Sequence, residues 1–192
     1  MNQVNPFEYV YTLVSIIVGL GITQILSSVA DLLYHHEKVK LYWPHSAWVA
    51  FIFFLLIQDW FVTYQLRYTT NWNIPNLAFV LSYPILLFTC AKMLLPTNDN
   101  EERYNMKLFY FSQFNVIFML VAASAIVSII FNLYMLRRPL TEQLVQLGFF
   151  VVLLAFISGK LRQEFLHKIL AVLVLLGAFV SILLEKDVWV IR

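Results

Sequence analysis

Charged residues are scarce in this chain of 192 residues: Asp, Glu, Lys and Arg make up 12% of it, whereas 61% of its residues are hydrophobic. A soluble domain typically carries about a quarter of its residues as charges. A small domain also leaves much of its surface in contact with solvent, so it cannot hide such an excess of apolar side chains. The composition therefore excludes a soluble domain and predicts an integral membrane protein.

Other features are missing as well. The single cysteine, Cys90, excludes an intramolecular disulfide. A net charge of +2 without a Lys/Arg-rich tract argues against direct nucleic-acid binding. The sequence contains no HExxH, GxSxG, glycine-rich phosphate loop or CxxC motif. We therefore predict a protein that is not an enzyme and that holds no metal or cofactor. The alternative is a membrane enzyme whose polar groups only the fold brings together.

What the sequence has instead is six apolar runs, each near the roughly 20 residues that a spanning helix needs. The predicted helices are about 9–33, 45–66, 76–95, 108–136, 141–158 and 165–184. The first run is too long for a signal-peptide core, so we expect a retained spanning helix. Gln143 and Gln146 shorten the fifth run, and a re-entrant segment there would leave five spans. We predict an all-α polytopic transmembrane helical bundle, with residues 1–192 as a single transmembrane domain and no soluble domain.

Helix starts are marked by residues with suitable chemistry. Pro44 and Pro75 stand where a proline is tolerated, in the first turn of a helix. Asn98 followed by Glu101 has the spacing of a capping box and predicts a helix start ahead of the fourth span.

The distribution of Lys and Arg predicts the orientation. One side, formed by the loops after helices one, three and five, carries eight of them, and the other side carries five. The eight are Lys38, Lys40, Lys92, Arg103, Lys107, Lys160, Arg162 and Lys168. We expect that side to face the cytoplasm, with both termini outside and the protein in a bacterial inner membrane.

The second apolar run contains an amide and an acid side by side, Gln58 and Asp59, near mid-depth. An ionisable residue at that depth is expensive and usually faces a bundle interior or a wet cavity. Gln24 of helix one is the expected neighbour, because an intramembrane amide also needs partners. Three interpretations stay open for Asp59: a hydrogen-bonded structural residue, a cation or proton site in a transport path, and an oligomer contact.

Two helices carry small or polar residues at four-residue spacing, which places them along one face. They are Ser15, Gly19, Thr23 and Ser27 in helix one, and Ser124, Ser128 and Asn132 in helix four. Small residues let membrane helices approach closely. Each stripe is either a packing face or the lining of a pore, and the two helices could pack against each other or against further copies.

Two stretches of the first third resemble a group of small bacterial multi-span membrane proteins: FEYVYTLVSIIVGLGIT (residues 7–23) and LYWPHSAW (residues 41–48). That resemblance implies no activity. In size and topology the chain is also similar to membrane components of antiphage systems, such as the membrane accessory of type VI-B CRISPR loci and the membrane subunit of Kiwa. This similarity implies a role in defence but assigns no functional residue.

Two functions follow as hypotheses. The first is a membrane component that assembles with itself or with a cytosolic protein partner in the lipid bilayer, as a pore or membrane-perturbing effector in antiphage defence. The second is a small inverted-repeat transporter with Asp59 as the cation- or proton-coupling group.

Overall fold

The computed structural model describes residues 6–69, 71–96, 104–184 and Trp189. Within these residues the chain forms six α-helices. They are α1 (Pro6–Tyr34), α2 (Trp43–Tyr64), α3 (Ile74–Met93), α4 (Met106–Tyr134), α5 (Leu144–Ser158) and α6 (Glu164–Leu184). Each expected helix overlaps an observed one along most of its length, so the predicted all-α bundle is confirmed.

All six helical segments are long and apolar enough to cross a membrane. The 3-10 turn Gln65–Tyr68 extends α2 to a span of 26 residues, and the 3-10 turn Leu140–Gln143 extends α5 to a span of 19. The fifth segment is therefore continuous and of spanning length, which favours six spans over the re-entrant alternative. The chain is a multi-pass membrane protein.

The first turns of α2 and α3 confirm the expectation for the prolines, since Pro44 and Pro75 both lie there. Asn73 adds a cap to α3: its side-chain oxygen accepts a hydrogen bond of 2.8 Å from the backbone N–H of Asn76. Such a bond satisfies one of the backbone donors left without a partner at a helix start.

The start of α4 is set by Asn105, whose side chain accepts from the backbone N–H groups of Lys107 and Leu108. Asn98 and Glu101, the expected capping box, lie outside the described residues. Asn105 also belongs to a two-residue strand, β2 (Tyr104–Asn105), which pairs in parallel with β1 (Val39–Lys40) and ties the loop after α1 to the start of α4.

The helices pack in a definite order. α1 packs mainly against α2 and α3, α4 against α3 and α5, and α6 against α2. Helices one and four, which the sequence offered as partners, therefore have other principal neighbours within the subunit. Large apolar side chains cover the outer surfaces of the bundle, as expected where lipid is the solvent.

In the half of the bundle that contains the first turns of α4 and α6, these two helices pack around a cluster of buried aromatic rings. His167 is fully buried and joins these helices: its Nδ1 accepts from the Tyr110 hydroxyl at 2.8 Å, and its Nε2 donates to the Leu161 carbonyl at 2.8 Å. His45 of α2 reaches the end of α3 in the same half, where its Nε2 donates to the Leu94 carbonyl at 2.6 Å. Both buried histidines therefore have hydrogen-bond partners within the subunit.

Candidate functional site

Asp59 is almost entirely buried, with 7% of its surface exposed. Its Oδ2 atom is buried and has no hydrogen-bond partner among the described residues. Polar atoms buried in a protein are nearly always paired, so an unpaired carboxylate oxygen calls for an explanation. The explanation lies in what Asp59 faces.

Asp59 lines a cavity of about 210 Å³ inside the bundle. Five of the six described helices contribute to its walls, and α1 does not. The polar residues in the lining are Gln58, Asp59, Tyr83, Ser124, Ser128, Asn132, Arg138, Gln146 and Ser181. The apolar part includes four phenylalanines: Phe51, Phe54, Phe131 and Phe149. Small-molecule sites in proteins are typically built in this way, from an apolar wall with a few convergent polar groups.

The polar stripe of α4 belongs to this cavity. Ser124, Ser128 and Asn132 all line it, because a spacing of four residues keeps them on one face of the helix. Ser124 is buried, and the other two side chains are half-buried. The structure therefore brings the helix-four stripe and the Gln58–Asp59 pair, which the sequence presented as separate features, into one site.

Hydrogen bonds within the protein engage some of the polar groups that line the cavity. The hydroxyls of Ser124 and Ser181 donate to backbone carbonyls of their own helices, at 2.8 and 2.9 Å. The Gln146 amide donates to the Ala125 carbonyl at 3.3 Å. Each of these three side chains keeps an oxygen with free acceptor capacity. The lining thus offers acceptor oxygens beside Asp59, and it also carries donors, since Gln146 has a second N–H and the hydroxyls of Tyr83 and Ser128 line the same cavity.

One cation also lines the cavity. Arg138 lies in the loop between α4 and α5, and its guanidinium donates to the Gln65 side-chain oxygen at 3.3 Å. The cavity therefore extends to the end of the bundle where this loop lies. A second amide pair stands beside it, where Asn132 donates to the buried Gln143 at 2.8 Å.

The position of Asp59 along the bundle follows from residue counting. It is the 17th residue of the span Trp43–Tyr68, about 24 Å from Trp43 at 1.5 Å per residue. The sequence predicted a position near mid-depth. The structure places Asp59 roughly one helical turn beyond the middle of the span. Under the predicted orientation, Asp59 lies about one turn to the outer side of mid-span.

Gln24 does not line the cavity, contrary to the expectation that it neighbours Asp59. Its amide donates to Ser28 of the same helix at 3.1 Å, so the partner it needs is local. What α2 turns towards α1 is instead Trp60, whose indole N–H donates to the Ser15 hydroxyl at 3.0 Å. Ser15, one member of the helix-one stripe, therefore takes part in the packing between α1 and α2.

The rest of that stripe turns outward. Thr23 and Ser27 are exposed, and a Cβ added at Gly19 would meet no atom within 4 Å. The close approach occurs instead at Gly21, where an added Cβ would lie 2.9 Å from Leu56 of α2. Within one subunit, the face of α1 that packs inward lies next to the small-residue stripe. It carries Val14, Val18, Gly21 and Ile25.

Several lining residues were not predicted as part of the site. Tyr83 and Ser181 gave no sequence signal, since a single tyrosine or serine is common in a spanning helix. Gln146 could have been recognised, because an amide in a short apolar run needs a hydrogen-bond partner. It was used only to question whether the fifth run spans the membrane. Arg138 lies in a loop, and it entered the sequence analysis only in the count of Lys and Arg that predicts the orientation in the membrane.

No protein-family model matches the chain, and no curated protein or solved structure matches it either.

Proposed function

We propose that this multi-pass membrane protein is a small transporter that uses Asp59 to bind a cation, which is either its cargo or the ion that drives transport. One observation carries the proposal: Asp59, a buried acid whose Oδ2 has no hydrogen-bond partner among the described residues, lines a cavity formed within a single subunit. An ionisable residue in such a position typically marks a substrate or ion path.

The alternative of a purely structural aspartate has less support. A structural role requires partners that repay the cost of removing the carboxylate from water. The other buried polar side chains of the site show what such partners look like, since Ser124 and Gln143 are both hydrogen-bonded within the subunit. Asp59 lines a cavity, and its Oδ2 has no such partner in the part of the chain that the structure describes.

Charge movement on cation binding tests the proposal. Purified protein is reconstituted in liposomes on a solid-supported membrane, and the current is recorded after rapid jumps in Na⁺, K⁺, pH or cyclohexylammonium. We expect a transient current with at least one of these cations. Asp59→Asn should abolish it, because the amide keeps the size of the side chain but cannot carry the charge.

Asp31→Asn is the matched control, since it makes the same chemical change at an exposed position of α1. It should leave the current intact. A wild-type protein that gives no current with any of the four cations contradicts the proposal, as does a current that survives unchanged in Asp59→Asn.

A second candidate is an oligomeric membrane component, a pore or effector of antiphage defence that works with a cytosolic partner. The observation that favours it is the outward-facing part of the α1 stripe, where Gly19, Thr23 and Ser27 are available to another copy. Its test is the mass of the protein in detergent by light scattering. Gly19→Leu should reduce an oligomer to monomer, whereas Gly148→Leu, at another open glycine on α5, should not.

A further inference from the structure

A second cavity, here called the α1–α2 groove, lies between α1 and α2 at the end where the loop after α1 joins them. Its lining on the two helices extends from Ile25 to Leu33 on α1 and from His45 to Phe53 on α2. Each of these stretches rises about 12 Å, at 1.5 Å per residue. The volume of about 440 Å³ is roughly three times the ~150 Å³ of a cavity that holds benzene, which leaves room for a chain of roughly 15 carbon atoms.

The polarity of the lining changes along the α1–α2 groove. Its polar residues, His36, His45 and Ser46, all lie at the loop end. Farther along the helices, between Ile25 and Val29 on α1 and between Val49 and Phe53 on α2, the residues that line the groove are all apolar. A ligand that matches this gradient has a polar head at the loop and an apolar chain that runs along the two helices.

The α1–α2 groove reaches from the core of the bundle to its outer surface. Ile25 and Met106 belong to its buried part. Leu26 and Leu33 of α1 and Ala50 of α2 also line it, and these three residues are exposed. Since lipid is the solvent at the outer surface of spanning helices, an acyl chain can enter the groove sideways from the bilayer. A phospholipid combines the polar head and the apolar chain that the lining requires.

The loop end of the groove has the marks of the level at which lipid head groups lie. Exposed Tyr34 and Trp43 stand on either side of the loop, at the end of α1 and the start of α2. Aromatic residues with a polar tip concentrate at the interface between membrane and water. Val39 of the loop lines the groove and is held in place, since its strand β1 pairs with β2. The mouth of the groove is therefore preformed.

The choice among lipids has to come from the head group, because an acyl chain finds the bilayer as apolar as the groove. Lys38 and Lys40 flank Val39 at the mouth, are exposed, and form no ion pair with a described residue. The acids nearest to them in the chain are Asp31 and Glu37, and Lys92 near the end of α3 adds a third cation at this end. The excess of positive charge favours an anionic head group.

We propose that the α1–α2 groove binds one anionic phospholipid. One acyl chain occupies the apolar part of the groove, and the phosphate of the head group lies at the mouth, within reach of Lys38 and Lys40. This inference is independent of the proposed transport function, since the groove and the Asp59 cavity have no lining residue in common.

Native mass spectrometry tests the proposal because it counts bound lipids directly. Delipidated protein in detergent is titrated with phosphatidylglycerol and with phosphatidylcholine that carry identical acyl chains. We expect phosphatidylglycerol to bind first and to saturate at one molecule per subunit, at a concentration where phosphatidylcholine gives little binding. The two lipids differ in the charge of the head group, so the comparison isolates the effect of charge from that of the acyl chain.

Variants assign the binding to the groove. Ala50→Phe places a ring in the groove and should abolish the first binding step, whereas Ala155→Phe, at an exposed position of α5 outside the lining, should keep it. The double change Lys38→Gln and Lys40→Gln should weaken phosphatidylglycerol binding by roughly 5- to 30-fold, since one lysine near anionic lipid is worth about fivefold in affinity. Lys160→Gln with Arg162→Gln removes two charges from another exposed loop and should leave the binding unchanged.

Three results would overturn the proposal. Equal binding of the two lipids would remove the preference for an anionic head group. Phosphatidylglycerol binding that survives unchanged in folded Ala50→Phe, or in the double lysine variant, would place the lipid elsewhere. A wild-type dimer that Ala50→Phe reduces to monomer would mean that a second copy of the chain covers the groove. If Ala50→Phe does not fold, the double lysine variant decides, because it changes only exposed side chains.

Discussion

Replacement of Asp59 by asparagine should make the protein more stable, which is the opposite of what a structural aspartate would do. The Asp59 side chain is 7% exposed, and its Oδ2 has no hydrogen-bond partner among the described residues. An ion buried without good partners costs several kcal/mol, whereas an unpaired neutral amide costs about 1–3 kcal/mol. The variant should therefore gain at least about 1 kcal/mol. In a chain of this length, that gain corresponds to a rise in melting temperature of about 2–4 °C.

The assay is thermal unfolding in detergent at about pH 9, well above the ordinary pKa of an aspartic acid. Asp31→Asn serves as the control because Asp31 is exposed, and its stability should change by no more than about 0.5 kcal/mol. A fall in melting temperature for Asp59→Asn alone would refute the reasoning. It would mean that the carboxylate accepts structural hydrogen bonds, and the transporter proposal would lose its main support.

Two further predictions concern the packing that surrounds the site. Gly21→Ala should be less stable than Gly19→Ala by about 1–3 kcal/mol, the usual cost of overpacking. The reason is that only the Cβ added at Gly21 meets Leu56, at 2.9 Å. Chemical denaturation measures both variants, and equal stabilities would contradict this contact. Tyr110→Phe should cost about 1–3 kcal/mol, because it leaves His167 Nδ1 buried without its donor. Chemical denaturation measures the stability of Tyr110→Phe, with an exposed tyrosine changed to phenylalanine as the control. An equal loss of stability at the two positions would count against the buried hydrogen bond.

The number and extent of the helices could be predicted from the sequence because both depend on length. An apolar run near 20 residues spans a bilayer whatever its neighbours are, and Pro44 and Pro75 mark helix starts through local backbone chemistry. The helix-four stripe was also recognisable as one face, since a spacing of four residues fixes that geometry within the helix.

The direction in which each face points could not be predicted in this way. In a soluble helix the apolar side identifies the core, but lipid is as apolar as a protein interior, so this signal disappears in a membrane. The small-residue stripe of α1 was predicted to be a packing face or the lining of a pore, and the structure turns its Thr23 and Ser27 outward while Val14 and Val18 pack inward. The same loss of signal explains why Gln24 was expected beside Asp59.

The case for Asp59 as a binding residue finally depends on how the fold treats its other buried polar groups. His45, Gln143 and His167 are all buried, and each has a partner within 3 Å. The fold can therefore satisfy a buried polar side chain where it needs to. The other buried side-chain atoms without a partner in the described residues belong to neutral groups, on Tyr42, Trp48, Asn115 and Trp189.

An unpaired neutral donor or acceptor costs about 1–3 kcal/mol, and a membrane protein tolerates a few of them. An unpaired carboxylate costs several times more when it is ionised. Asp59 is the acid among these unpaired groups, and it lines a cavity together with oxygens from three other side chains that retain acceptor capacity. A chain selected only for stability would replace it, as the asparagine variant should show. Its presence is understandable if a cation from outside the protein completes the site.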